Sequence, residues 1–196
     1  MSSNGNTLVL QLRISLADID PPIWRTALFD RGTTLHELHR GIQVLFGWYD
    51  YHLYAFDVGD RRFEVPGEEA EGEDATKAKL SRLVSGPGQV FRYTYDFGDD
   101  WVHYIEVEDT EVRAAEGWIP WVVDGARSGP PEDCGGPPGY SQLVAALRRP
   151  LEDLDDDDRS FVEWAGPDFD PEAFSIRQAR HALLLCSAWG VLRRRR

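Results

Sequence analysis

Apolar and polar residues alternate along Thr7 to Ala17. Leu8, Leu10, Leu12, Ile14 and Leu16 fall on one side, and Gln11, Arg13 and Ser15 on the other. This period of two marks a strand with one buried face. Asp18-Ile19-Asp20-Pro21-Pro22 ends it, because proline removes donors and fixes φ. Ile23 to Phe29 then reads as a second strand, antiparallel to the first. At Thr34 the period changes. Leu35, Leu38, Ile42, Leu45 and Phe46 recur at helical spacing, Thr34 and Glu37 form a capping box, and Gly47 supplies a stop. His36, His39, Arg40 and Gln43 lie towards the polar side of that helix, where solvated histidines are expected. Arg25 is expected at the surface.

Aromatic residues dominate the next stretch of chain. Trp48 to Phe56 leads into a strand over His52 to Val58, Gly59-Asp60 turns, and Arg61 to Val65 returns. Pro66 to Ala75 is rich in Gly and Glu without an apolar pattern, as a mobile acidic loop would be. Ala75 to Leu83 fits either a short helix or more loop. Phe91, Tyr93, Tyr95 and Phe97 alternate with Arg92, Thr94 and Asp96. Gly98-Asp99-Asp100 interrupts, and Trp101, His103 and Ile105 share one face of a return strand ending near Val112. This is a hairpin. Glu116 to Gly139 is dense in Gly and Pro and reads as a long, packed loop around Glu132-Asp133-Cys134. Helices are expected over about Tyr140 to Leu147, at Asp155 to Asp158 where acidic residues suit a helix start better than a calcium loop, and over Pro171 to Trp189. The order gives an α+β chain, with a mixed, largely antiparallel sheet packed against helices and a C-terminal helical portion. One domain over residues 7–185 is expected, with flexible termini at 1–6 and 190–196.

Composition narrows the possibilities. In 196 residues, 42% are hydrophobic and 12% aromatic, enough for a core rather than disorder. The net charge of −13 would repel a phosphate backbone, which makes a nucleic-acid partner unlikely. The tail Arg193 to Arg196 is the local exception and reads as a solvated end. Two cysteines, Cys134 and Cys186, imply no disulfide framework and fit a reducing cytoplasm. No apolar run approaches the ~18 residues of a membrane span, so no membrane partner is expected.

The hairpin turn is where chemistry concentrates. It reads first as a supply of core aromatics. It reads second as a point where Asp96, Asp99, Asp100 and His103 converge, hard oxygen donors with one imidazole that would suit a divalent cation. No residue is assigned as a metal ligand on this basis, and no cofactor is assigned. His36 and His39, three apart, have no carboxylate or cysteine at a metal-ligand spacing. Asp96-Phe97-Gly98 is not the kinase triplet, since no glycine-rich loop, strand lysine or His-Arg-Asp accompanies it.

Several motifs occur together in a particular order. They are Asp20-Pro21-Pro22-Ile23-Trp24-Arg25, the capped helix ending in Phe46-Gly47-Trp48, His52-Leu53-Tyr54-Ala55-Phe56, and Tyr93-Thr94-Tyr95-Asp96-Phe97-Gly98-Asp99-Asp100-Trp101. Pro130-Pro131-Glu132-Asp133-Cys134-Gly135-Gly136-Pro137-Pro138-Gly139-Tyr140 and Phe169-Asp170-Pro171-Glu172-Ala173-Phe174 complete the set. In order and spacing they resemble the plasmid pRiA4b Orf-3-like family over about residues 7 to 185. The resemblance implies an α/β roll and little about function, since members are described as uncharacterised plasmid or mobile-element passengers. Members often carry cysteines where this chain has Val122 and Gly129, so a thiolate metal site would be incomplete here, with Cys134 alone.

Three functions are expected. The first is a binding module for a protein, peptide or small molecule, with an aromatic groove of Trp48, His52, Tyr54, Tyr93 and Tyr95. The second is a metal-assisted or acid–base hydrolase drawing on Asp96, Asp99, Asp100, Trp101, His103, Glu132, Asp133 and Cys134. The third is a transposition-associated accessory protein. The first two share one geometric expectation: the aromatic hairpin and the proline-glycine segment meet.

Overall fold

A computed structural model describes residues 6–67, 70–115 and 120–188. Eight strands form one sheet: β1 Asn6–Leu16, β2 Trp24–Asp30, β3 Tyr54–Val58, β4 Arg61–Glu64, β5 Glu73–Asp74, β6 Val90–Tyr95, β7 Trp101–Ala115 and β8 Trp121–Ala126. Their spatial order is β5-β4-β3-β6-β7-β1-β2-β8. Every pairing is antiparallel except β4 with β5, so the sheet is mixed and the class is α+β. Helices α1 Leu35–Phe46, α2 Leu80–Leu83, α3 Gly136–Leu147, α4 Asp156–Ala165 and α5 Ile176–Ala188 complete it.

The patterns explain most of these elements. The Thr34 hydroxyl accepts from the Glu37 amide, the Glu37 carboxylate accepts from the Thr34 amide, and Gly47 ends α1 at φ 81°. Only a residue at ease with positive φ closes a helix this way. Leu35, Leu38, Ile42, Leu45 and Phe46 of α1 face Leu10, Leu12, Ile14 and Leu16 of β1 and the rings of β6 and β7 within one core. Asp155 caps α4 by accepting from the Asp158 amide, in keeping with the acidic run.

Other features depart from the pattern. Near the start of β1, Leu8 is exposed although it belongs to the apolar set, and Val9 is buried although it does not. The opposite face has a small cluster of its own, in which Val9 packs with Leu28, Val112 and Trp121. The register shifts between β1 and β7 put the extra residues in β7 and leave the alternation of β1 intact. The long loop expected from 116 to 139 contains a strand, β8, which pairs with β2 at the sheet edge. Its run is short and Gly125 interrupts it, so periodicity alone does not show it. The last helix begins at Ile176 rather than Pro171. Arg25 is not a surface residue. Its guanidinium donates to the carbonyls of Leu45, Trp24, Ala126 and Arg127 at 2.7–3.0 Å, tying β2 to the end of α1 and to β8. Burial lowers its pKa to about 10. The expected flexible termini, 1–6 and 190–196, lie outside the described residues apart from Asn6, as does the tail Arg193 to Arg196. Among the described residues, no helix is long and apolar enough to cross a membrane.

Candidate functional site

Three segments meet at one end of the sheet: 47–52 after α1, the β6–β7 turn at 96–100, and 130–136 before α3. Main-chain and side-chain bonds lock them together. The Trp48 indole donates to the Pro130 carbonyl at 2.9 Å, and the Tyr49 amide donates to Glu132 Oε2 at 2.8 Å. The Gly135 amide donates to Asp99 Oδ2 at 3.1 Å. Gly136 lies so close that a Cβ there would meet the Asp99 carbonyl oxygen at 2.3 Å. The aromatic hairpin and the proline-glycine segment are thus in direct contact.

Tyr95, the last residue of β6, organises the junction. Its hydroxyl accepts from the amides of Tyr51 and His52, at 3.0 and 3.3 Å, and donates to Glu132 Oε1. Burial and the Glu132 charge raise its pKa, so it stays a neutral donor. Past Tyr95 the chain turns sharply. Asp96 takes φ 55°, a left-handed conformation that aspartate tolerates because its short side chain bonds locally. Asp96 Oδ1 accepts from the Gly98 amide at 2.9 Å, which leaves Oδ2 turned towards His52 at 3.6 Å. His52 Nε2 also lies 2.7 Å from Asp133 Oδ1. A carboxylate only accepts, so His52 Nε2–H donates to Asp133. The donor atoms of His52, Asp96 and Asp133 all lie within 4.8 Å of one another. Among the described residues, no Lys or Arg pairs with Asp96, Asp99, Glu132 or Asp133. Two carboxylates thus flank the His52 imidazole, with two more in the adjoining segments.

The other candidates separate from this cluster. His103 does not join the turn carboxylates. It is fully buried against Phe46, Trp48 and Tyr93, with Nδ1 donating to the Trp101 carbonyl at 3.1 Å. Burial pushes its pKa down to about 3, so it is neutral. Trp101 is core, and Asp100 points out towards Arg92 at 3.7 Å. Cys134 is buried, and burial with the Asp99 charge raises its thiol to about 12, so it is held as the neutral thiol. The predicted aromatic groove is also corrected. Trp48, Tyr54, Tyr93 and Tyr95 are buried core rings, and of that set only His52 is partly exposed. His39 is likewise buried rather than solvated, with its ring stacked 3.7 Å from that of Tyr54.

The exposed rings are different ones. Tyr49 and Tyr51 stack on each other at 5.7 Å and are 71% and 73% exposed. With Trp164 of α4 they border an open cleft of about 960 Å³ that runs between Pro130 to Asp133 and the C-terminal segment at Phe169 and Phe174. The signal for Tyr49 and Tyr51 lay in the aromatic-rich run after Gly47, interrupted by Asp50. No strand or helix takes up that run, because Asp50 reverses the backbone at φ 62°.

The fold and this junction define an uncharacterised α+β class built around an aromatic hairpin. The chain belongs to the plasmid pRiA4b ORF-3-like protein family, whose model matches residues 8–178. It is 34% identical over 194 residues to the uncharacterized protein y4hQ of Sinorhizobium fredii (strain NBRC 101917 / NGR234), covering 96% of this chain and 97% of that one. It is also similar to the crystal structure of the protein of unknown function MM3350 from Methanosarcina mazei Go1. That likeness has a TM-score of 0.76 at 32% identity, over 86% of this chain and 96% of the other.

Proposed function

We propose that this protein is a binding module whose cleft takes a peptide segment carrying apolar and basic side chains. One observation carries this reading: Tyr49, Tyr51 and Trp164 stand exposed together around one concave surface instead of packing into the core. Tyr and Trp give large contact areas at low entropic cost, and they dominate binding energies where they occur. Glu132 and Asp133 line the same cleft and have no Lys or Arg partner among the described residues, which favours a basic group on the ligand. Arg25 also borders the cleft, but carbonyl oxygens occupy its guanidinium.

A displayed peptide library tests this. Peptides selected on the protein should be enriched in Lys or Arg beside apolar residues. They should bind Trp164→Ser, and separately Tyr49→Ser/Tyr51→Ser, at least about tenfold more weakly, a loss of ~1.4 kcal/mol. Selected peptides that bind both variants like the parent would contradict the reading, as would a selection that enriches nothing.

A further inference from the structure

We propose that His52, Asp96 and Asp133 form a binding site for a divalent transition-metal ion of the zinc class. The proposal does not rest on the cleft being a peptide site. One imidazole nitrogen and two carboxylates from three separate segments present their donor atoms within 4.8 Å. Zinc bonds of about 2.1 Å at tetrahedral angles place ligand atoms about 3.4 Å apart. His52 Nε2 stands 2.7 Å from Asp133 Oδ1 and 3.6 Å from Asp96 Oδ2, so the donors bracket the required spacing. The mixed nitrogen and oxygen set favours zinc or a neighbouring first-row ion over magnesium or calcium, which prefer oxygen alone.

The surroundings hold the donors in place. Asp96 Oδ1 is engaged by the Gly98 amide, which frees Oδ2. The 130–136 segment that carries Asp133 is fastened through Trp48 to Pro130, Tyr49 to Glu132 and Gly135 to Asp99. The Tyr95 hydroxyl fixes the His52 main chain. The His52 Nε2 proton now bridges towards Asp133. A cation ligated at Nε2 leaves the ring proton on Nδ1. Three protein ligands leave at least one coordination position for water or a ligand group. Asp133 belongs both to this set and to the cleft wall.

The test uses the full chain after chelator treatment, titrated calorimetrically with zinc chloride, with cobalt(II) absorption as a second readout. One ion per chain should bind, giving the visible bands of a tetrahedral cobalt site. Asp133→Asn should weaken zinc by about 100-fold or more, beyond the ~10–100-fold cost of losing an outer-layer partner. His52→Gln should do the same and serves as the independent second variant. His181→Ala, at an exposed histidine elsewhere, and Trp164→Ser, which tests the cleft, should leave zinc affinity unchanged. The absence of a one-to-one site up to ~1 mM zinc, a binding free energy of about −4 kcal/mol, would overturn the proposal. So would folded Asp133→Asn and His52→Gln proteins that bind zinc like the parent.

Discussion

Two groupings of histidine, tyrosine and aspartate occur in this molecule, and they differ in burial and in how their polar atoms are partnered. In the core, His39 Nε2 donates to Asp50 at 2.8 Å, while Nδ1 meets the Tyr93 hydroxyl, also at 2.8 Å. Gln43 donates to the same hydroxyl and accepts from the Asp50 amide. Both His39 nitrogens and the Tyr93 hydroxyl have partners, and burial lowers the pKa of His39. At the junction, His52, Tyr95, Asp96 and Asp133 repeat the residue types, yet the charges outnumber their partners and the imidazole is open to solvent. Tyr93 and Tyr95 are two residues apart on the same face of β6. The residue types are the same in both places, so burial and satisfied hydrogen bonds decide which group is structural.

The contrast can be broken most severely at its hinge. Gly136 sits at φ 66° with its α-carbon against the Asp99 carbonyl. Gly136→Ala adds left-handed strain to a backbone clash and should cost about 3 kcal/mol or more in urea unfolding. A loss under ~1 kcal/mol would show that the two segments are not held rigidly together.

Acid sharpens the comparison from the core side. His103 has a folded pKa of about 3, well below the unfolded value near 6.5. The unfolded chain therefore binds the proton first, and stability falls as pH drops from about 6.5 towards 3. The loss from His103 alone should be on the order of 2 kcal/mol by pH 5. Urea melts of His103→Leu should show a shallower decline over pH 6.5 to 5 than the parent. Parallel declines would place the acid sensitivity elsewhere, with His39 the next candidate because its pKa is also lowered by burial.

Much of this fold was legible in the chain. The period-two strands, the Thr34–Glu37 capping box and the acidic start of α4 are local signals, and local physics settles them. The meeting of the hairpin with the 130s segment was also expected, on the ring-rich and proline-glycine compositions of the two pieces. What stayed hidden depended on long-range pairing. Strand β8 exists because β2 offers it an edge. His103 and His52 could not be ranked from spacing, since each lies within a few residues of rings and carboxylates. Only the path of the chain puts one beneath Trp48 and the other beside Asp133. Tyr49 and Tyr51 were masked by neighbours of the same kind that do pack.

Unfolding of the parent and of His52→Gln, each with and without zinc, tests most directly whether the junction exists for binding. Without metal, His52→Gln should match the parent within about 0.5 kcal/mol, because the ring is about a third exposed and its nearest partner, Asp133, is at the surface. Zinc at 100 times the parent's dissociation constant should stabilise the parent by ~2.7 kcal/mol and His52→Gln by no more than ~0.4 kcal/mol. A His52→Gln protein that is strongly destabilised without zinc, or a parent that gains nothing from it, would mean that this cluster, like its buried counterpart, serves only to hold the fold.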